Sequence, residues 1–94
     1  MLETYCKIPR KVLNNHKLCS NAKLLYGDLI LLCHNNGYCY ATNKFLAHNL
    51  KVSSRTISRL LKILKEEKLI EIKYDSSGVR NIYMLDKNVY PYRH

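Results

Sequence analysis

Residues 54–67 constrain the fold more than any other stretch of this chain. Ile57, Leu60, Leu61 and Leu64 recur at i, i+3, i+4 and i+7, the spacing that lines up apolar side chains along one face of an α-helix. The opposite stripe holds Arg55, Ser58, Arg59 and Lys62. One side of this helix must be buried, and the other presents cations. Ser53 or Ser54 supplies its N-cap, and the helix is expected to run to about Glu67. Glu66 and Glu67 offer partial neutralisation, so an ordinary solvated helix face is the plain alternative to a binding face.

The rest of the chain is read around that helix. Residues 4–13 open with an extended arm that ends near Pro9, because the residue before a proline is pushed out of the helical region. A brief helix follows over Arg10–Asn14. A longer helix begins after Ser20, a good N-cap, with Ala22, Leu25, Tyr26, Leu29 and Cys33 at helical spacing. Leu24, Leu31 and Leu32 form a second apolar stripe, so this helix is either central to the core or meets something beyond it. Asn35-Asn36-Gly37 stops it, Gly37 being suited to a left-handed cap.

Tyr38–Ala41 reads as a short strand. Thr42 caps a short helix over Asn43–Asn49, and Lys51-Val52 make a turn. After the amphipathic helix, Leu69–Tyr74 and Val79–Leu85 read as two strands joined by Asp75-Ser76-Ser77-Gly78, which is strong turn chemistry. With only three Gly and two Pro, the connections should be short.

Charge narrows the partner. Sixteen Lys and Arg against seven Asp and Glu give a formal charge of +9, an imbalance that favours polyanions such as nucleic acid or an anionic membrane surface. With 47% hydrophobic residues in 94, the chain can form one folded domain. No apolar run approaches the roughly 18 residues of a membrane span. Met1–Tyr5 shows no basic start followed by an apolar stretch, so a cytoplasmic location and reduced cysteines are expected.

The cysteines, at positions 6, 19, 33 and 39, contain no CxxC pair. A mixed site can be drawn from Cys33, His34, Cys39 and His48, but it lacks the ligand spacing of structural zinc. Cys33 and Cys39 read better as small buried hydrophobes. No nucleophile motif, matched acid pair or Gly-rich phosphate loop is present. The expectation is therefore a protein that is not an enzyme and carries neither metal nor cofactor.

Within the helical region, Ala47 is followed by Val52, Ile57 and Leu60 at five, ten and thirteen residues. This pattern resembles a helix-turn-helix. In that family a small residue on the first helix admits the second, an aliphatic residue follows the turn, and two apolar residues anchor the second helix. The family's usual turn glycine is replaced by Lys51, which would cost about 1 kcal/mol if the position needs a positive φ.

The strand before this motif and the hairpin after it make the resemblance one to a winged helix-turn-helix. The stretch Leu46–Ile57, running on to Leu69-Ile70, is similar to that family throughout. Ile8-Pro9, Ala22–Gly27 and Ala41-Thr42-Asn43 narrow the resemblance to the N-terminal domain of plasmid and phage replication initiators and replisome organisers of Gram-positive bacteria. It implies an α+β fold, mainly α, with a three-helix core, a short strand and a C-terminal hairpin wing. The expected layout is an arm with a short helix over 1–19, a winged helix domain over 20–85 and a tail over 86–94. In an initiator, an oligomerisation or helicase-loading domain normally follows.

The resemblance also implies double-stranded DNA as partner. Arg can bond guanine O6 and N7 in the major groove, and Ser or Thr can bond several base edges. Ser54, Arg55, Ser58 and Arg59 are the expected groove residues, Ser53 and Thr56 at the start of the basic helix are further expected DNA contacts, and Lys62 and Lys65 are expected at phosphate. Thr42, Asn43 and Lys44 open the preceding helix, where backbone N–H groups bind phosphate readily, although Thr42 also suffices as a plain cap. Lys73 and Arg80 on the hairpin are the expected wing contacts. Leu24 and Leu31 are expected to be covered either by the N-terminal arm (Tyr5, Ile8) or by a second copy, and a homodimer, together with contacts to other replication proteins, completes the expected partners. Two alternatives stay open: a transcriptional regulator on the same scaffold, and a winged helix that docks a protein, for which the second apolar stripe and eight Tyr residues speak.

Overall fold

The computed structural model describes residues 8–34 and 36–86. The elements run α1 (Arg10–Leu13), α2 (Ser20–Cys33), α3 (Asn43–Leu50), α4 (Ser54–Glu66), β1 (Ile70–Tyr74) and β2 (Arg80–Met84). The arm residues Tyr5 and Cys6, Asn35 of the expected helix stop and the tail beyond Asp86 lie outside the described residues.

Helix α2 is the hub. Ala22, Leu25, Tyr26, Gly27, Leu29, Ile30 and Cys33 are all buried, so its contact surface covers more than one stripe. Of the second stripe, Leu32 packs against the core, whereas Leu24 is 53% exposed. Its cap departs from expectation: the N-cap is Cys19, with no side-chain hydrogen bond, and Ser20 is the first helical residue. Leu18 is buried and its N–H is bonded to the Asn15 carbonyl at 3.1 Å. That turn leaves Cys19 as the last extended residue, and helical geometry begins one position later. Val12 of α1 lies in the same core.

Helices α3 and α4 bring Leu46, Ala47, Ile57, Leu60, Leu61 and Leu64 onto α2. Thr42 caps α3 by accepting from the Phe45 N–H at 3.1 Å. Ser53, rather than Ser54, caps α4 by accepting from the Thr56 N–H at 3.1 Å. The hinge between the helices is a tight turn despite its lysine. Lys51 sits in the left-handed region at φ 57°; the Val52 N–H reaches the Ala47 carbonyl at 3.0 Å and the Lys51 N–H the His48 carbonyl at 3.3 Å. This paired bonding is the Schellman arrangement that satisfies the last carbonyls of a helix. It recurs after α4, with Lys68 at φ 61° and the Leu69 N–H on the Leu64 carbonyl at 3.0 Å. Val52 and Leu69, the residues that follow, both pack on the core.

The two strands pair antiparallel, with Ile70 opposite Met84, Ile72 opposite Ile82 and Tyr74 opposite Arg80. Ile70, Ile82 and Met84 are buried, so the hairpin's base is core and its tip is not. Asp75 builds the turn: its Oδ1 accepts from Ser77 N, Ser77 Oγ and Val79 N, and Gly78 takes φ +88°. The Ser77 hydroxyl first, then the Val79 N–H, hold the Asp75 carboxyl below its ordinary value. The expected strand over Tyr38–Ala41 is reduced to one rung, in which Cys39 and Ile82 exchange two hydrogen bonds of 2.8 Å.

A left-handed backbone costs an L-residue roughly 1–2 kcal/mol, against which glycine loses more freedom on folding. Lys51→Gly and Lys68→Gly should therefore each stabilise the domain by roughly 0.5–1 kcal/mol, measured as a higher urea midpoint at unchanged m-value. A lower midpoint would mean that the lysine side chains stabilise these turns in some other way.

Candidate nucleic-acid interface

The exposed stripe of α4 is set by the buried one. With Ile57, Leu60, Leu61 and Leu64 turned into the core, Ser54, Arg55, Ser58, Arg59, Lys62 and Lys65 are exposed. No acid interrupts this stripe before Glu66. Glu67 turns away and accepts from Asn15 Nδ2 at 3.3 Å. Ser53 and Thr56 have a further task. Besides the cap, their hydroxyls bond each other at 2.9 Å, so both are partly spent on starting the helix.

Between α4 and the hairpin lies a cleft of about 390 Å³, lined on one side by Ser58, Lys62 and Lys65 and on the other by Tyr74 and Arg80. The structure thus brings Ser58 and Lys62, of the expected α4 residues, to one wall of a groove and the wing to the other, while Ser54, Arg55 and Arg59 are exposed on α4 outside its lining. Tyr74 is a lining residue that sequence reasoning did not single out. Alternation puts it on the same strand face as Ile70 and Ile72, and it is 68% exposed only because the hairpin reaches past the core at that point.

Two expected contact residues are placed differently from a free surface side chain. Arg80 is half-buried and directs Nη1 to Asn43 Oδ1 at 2.6 Å and Nη2 to the Ala41 carbonyl at 2.9 Å. Asn43 is also half-buried, and its Nδ2 donates to Ser58 Oγ at 2.8 Å. The start of α3, the middle of α4 and the start of β2 are therefore tied together by side chains. An arginine facing Tyr74 across a hairpin gives no sequence signal of such a tie, because its partners are 37 and 39 residues away. Lys44 and Thr42 are exposed, Thr42 as the α3 cap. Lys73 is exposed on the other sheet face, with its Nζ 5.8 Å from the centre of the Tyr83 ring. That ring packs in turn against Tyr38, with centroids 5.6 Å apart and the planes tilted by 37°.

The residues drawn as a zinc site have other surroundings. Cys33 and Cys39 are buried, and Cys33 Sγ donates to the Ile82 carbonyl at 3.5 Å. Burial first, and then the neighbouring Cys39, push the Cys33 thiol up to about 12; burial also raises Cys39. Both are neutral thiols at physiological pH. Among the described residues, no three His, Cys, Asp or Glu side chains come together as a metal site, and no helix is long and apolar enough to cross a membrane.

Helix, tight turn, basic helix and hairpin, packed on a central helix, define a winged helix-turn-helix. The sequence profile of the helix-turn-helix domain family matches residues 16–70, and the chain belongs to that family, a class of DNA-binding domain. Among solved structures, the fold is similar to the N-terminal domain of a DNA-binding protein, with a TM-score of 0.69 and 18% identity over 89% of this chain and 76% of that one. A Rep–DNA complex is also similar, with a TM-score of 0.67 and 18% identity over 89% and 76% of the two chains. So is the MDR initiator, with a TM-score of 0.67 and 22% identity over 89% and 78%. At such identities the likeness is one of fold. A search among curated proteins finds no match.

Because only the thiolate is nucleophilic, alkylation at pH 8 should separate the described thiols. Exposed Cys19 is expected to react within minutes, while Cys33 and Cys39 stay unlabelled until the protein is denatured. Peptide mass mapping reads the result, and rapid native labelling of Cys33 or Cys39 would contradict their burial.

Proposed function

We propose that this domain binds double-stranded DNA in a sequence-specific manner at a plasmid or phage replication origin. The observation that carries the reading is the uninterrupted cationic stripe of α4, whose Lys62 and Lys65 line a cleft with the hairpin as its opposite wall. A helix of this kind fits the major groove, its N-terminal half reading bases, and Ser54, Arg55, Ser58 and Arg59 occupy that half. Lys62, Lys65, Lys44 and Thr42 flank it and are assigned to phosphate, as is Lys73 on the hairpin. The origin role is favoured by the fold's similarity to a Rep–DNA complex and to an initiator. A second copy of the chain, meeting the first through the exposed Leu24, is the expected partner in reading repeated half-sites. A cytoplasmic setting fits this task.

Contact with about four to six phosphates would give log affinity against log salt a slope of roughly −4 to −5. A slope near zero would exclude duplex binding as the function. Base reading and backbone holding separate by mutation. Arg55→Ala and Arg59→Ala should each cost about 1–3 kcal/mol on a selected site and much less on random duplex. Lys73→Ala should weaken both alike and lower the slope by about one unit. All three side chains are exposed, so circular dichroism should be unchanged. If both arginine variants bind the selected site as the parent does, α4 is not the reading helix, and protein docking becomes the better account.

A further inference from the structure

The chain of bonds from Arg80 through Asn43 to Ser58 has a direction fixed by chemistry. A guanidinium has donors only, so the Asn43 atom 2.6 Å from Arg80 Nη1 is the amide oxygen. The amide nitrogen must then face α4, where it donates to Ser58 Oγ at 2.8 Å. Arg80 is held in place by its second bond, to the Ala41 carbonyl, which keeps the amide from turning over. Ser58 therefore accepts on its inner side, and its proton has to point elsewhere. Among the described residues its hydroxyl has no other partner. Ser58 itself is exposed, on the stripe of Arg55, Arg59 and Lys62 and at the cleft.

We propose that Arg80 and Asn43 are positioning residues that turn Ser58 into a hydrogen-bond donor toward the major groove, so that Ser58 selects a base-edge acceptor at one position of the site. This rests on the DNA-binding reading above. A serine standing alone on a helix can donate or accept, and it can lose its proton to a backbone carbonyl one turn back. Ser58 makes no bond to that carbonyl in this structure, and accepting from an amide that is itself polarised by a guanidinium turns the O–H away from α3 and strengthens it as a donor. Guanine offers N7 and O6 in the major groove, adenine N7 and thymine O4, whereas cytosine offers only its N4 amino donor. Cytosine, which could meet only the one lone pair the hydroxyl keeps and not its strengthened O–H, is thus the base disfavoured at the position under Ser58. Neither Arg80 nor Asn43 needs to touch DNA for this, although both carry the preference.

Asn43→Asp tests the direction of the chain without changing its shape. The carboxylate accepts from Arg80 and also from Ser58, whose proton then points inward and leaves only lone pairs toward the groove. Sites are selected from randomised duplex with the parent chain, Asn43→Asp, Ser58→Ala and Ser58→Thr. Affinities are then measured with each base at each position, and with 7-deazapurines in place of purines. The parent and Ser58→Thr are expected to disfavour cytosine about three- to tenfold at one position, the range of a single neutral hydrogen bond. Ser58→Ala should level that position alone. Asn43→Asp should reverse it toward cytosine or adenine, whose amino groups donate, on top of a uniform loss from the added negative charge. The proposal is overturned if Ser58→Ala changes no position, if it weakens all sequences equally (which would put Ser58 on phosphate), or if Asn43→Asp keeps the acceptor preference. A parent chain that selects no site and shows no salt-dependent duplex binding would overturn the DNA-binding reading itself, and with it this one.

Discussion

The bond from the Val52 N–H to the Ala47 carbonyl is the constraint on which the rest of this domain depends. It closes the left-handed turn at Lys51 and so fixes the angle between α3 and α4. Once that angle is set, Ala47 is small enough for α4 to come close, and Ile57 and Leu64 reach the core alongside Leu46 and Leu29. The same rotation sends every cation on α4 outward. Shifting the turn would not merely loosen the core; it would re-aim the charged stripe, because burial and presentation are two sides of one helix.

Legibility in the sequence followed the range of the interactions. Local signals were readable: the apolar periodicity of α4, the caps at Thr42 and Ser53, and the Asp75–Gly78 turn each operate within four residues. The helix-turn-helix spacing was readable for the same reason. What stayed hidden was long-range or depended on shape. Arg80 looks like any basic strand residue until Ala41 and Asn43 are placed beside it. Ser20 looks like a cap, yet the buried Leu18 moves the helix start by one residue. The reduction of Tyr38–Ala41 to a single rung could not be read from its β-prone residues, since it depends on how much of β2's free edge the core leaves open. Lys51 is the instructive middle case: its side chain argued against a tight turn, and the two backbone bonds together with the packing of Val52 outweighed that local cost.

Polar side chains carry a second layer of organisation over this apolar one. Serine and threonine hydroxyls at positions 42, 53 and 56 are spent on helix starts, and the Asn43 amide joins three elements. A surface rich in hydroxyl and amide groups thus divides into those that hold the fold and those left for a partner. Sequence composition alone does not separate them, because the residue types are the same.

The hairpin is attached to the body unevenly. Near its base, Ile70, Ile82 and Met84 are buried, and the Cys39 rung ties Ile82 to the chain ahead of α3. Beyond the Arg80 anchor, residues 75–79 are all exposed and held only by the Asp75 bonds within their own turn. Opening of the tip therefore exposes almost no apolar surface, whereas opening of the base requires disrupting the core. Arg80 marks the boundary between two regimes of motion. The tip can follow the contour of whatever lies in the cleft, while the wall carrying Ser58 stays at fixed distance from the rest of the domain.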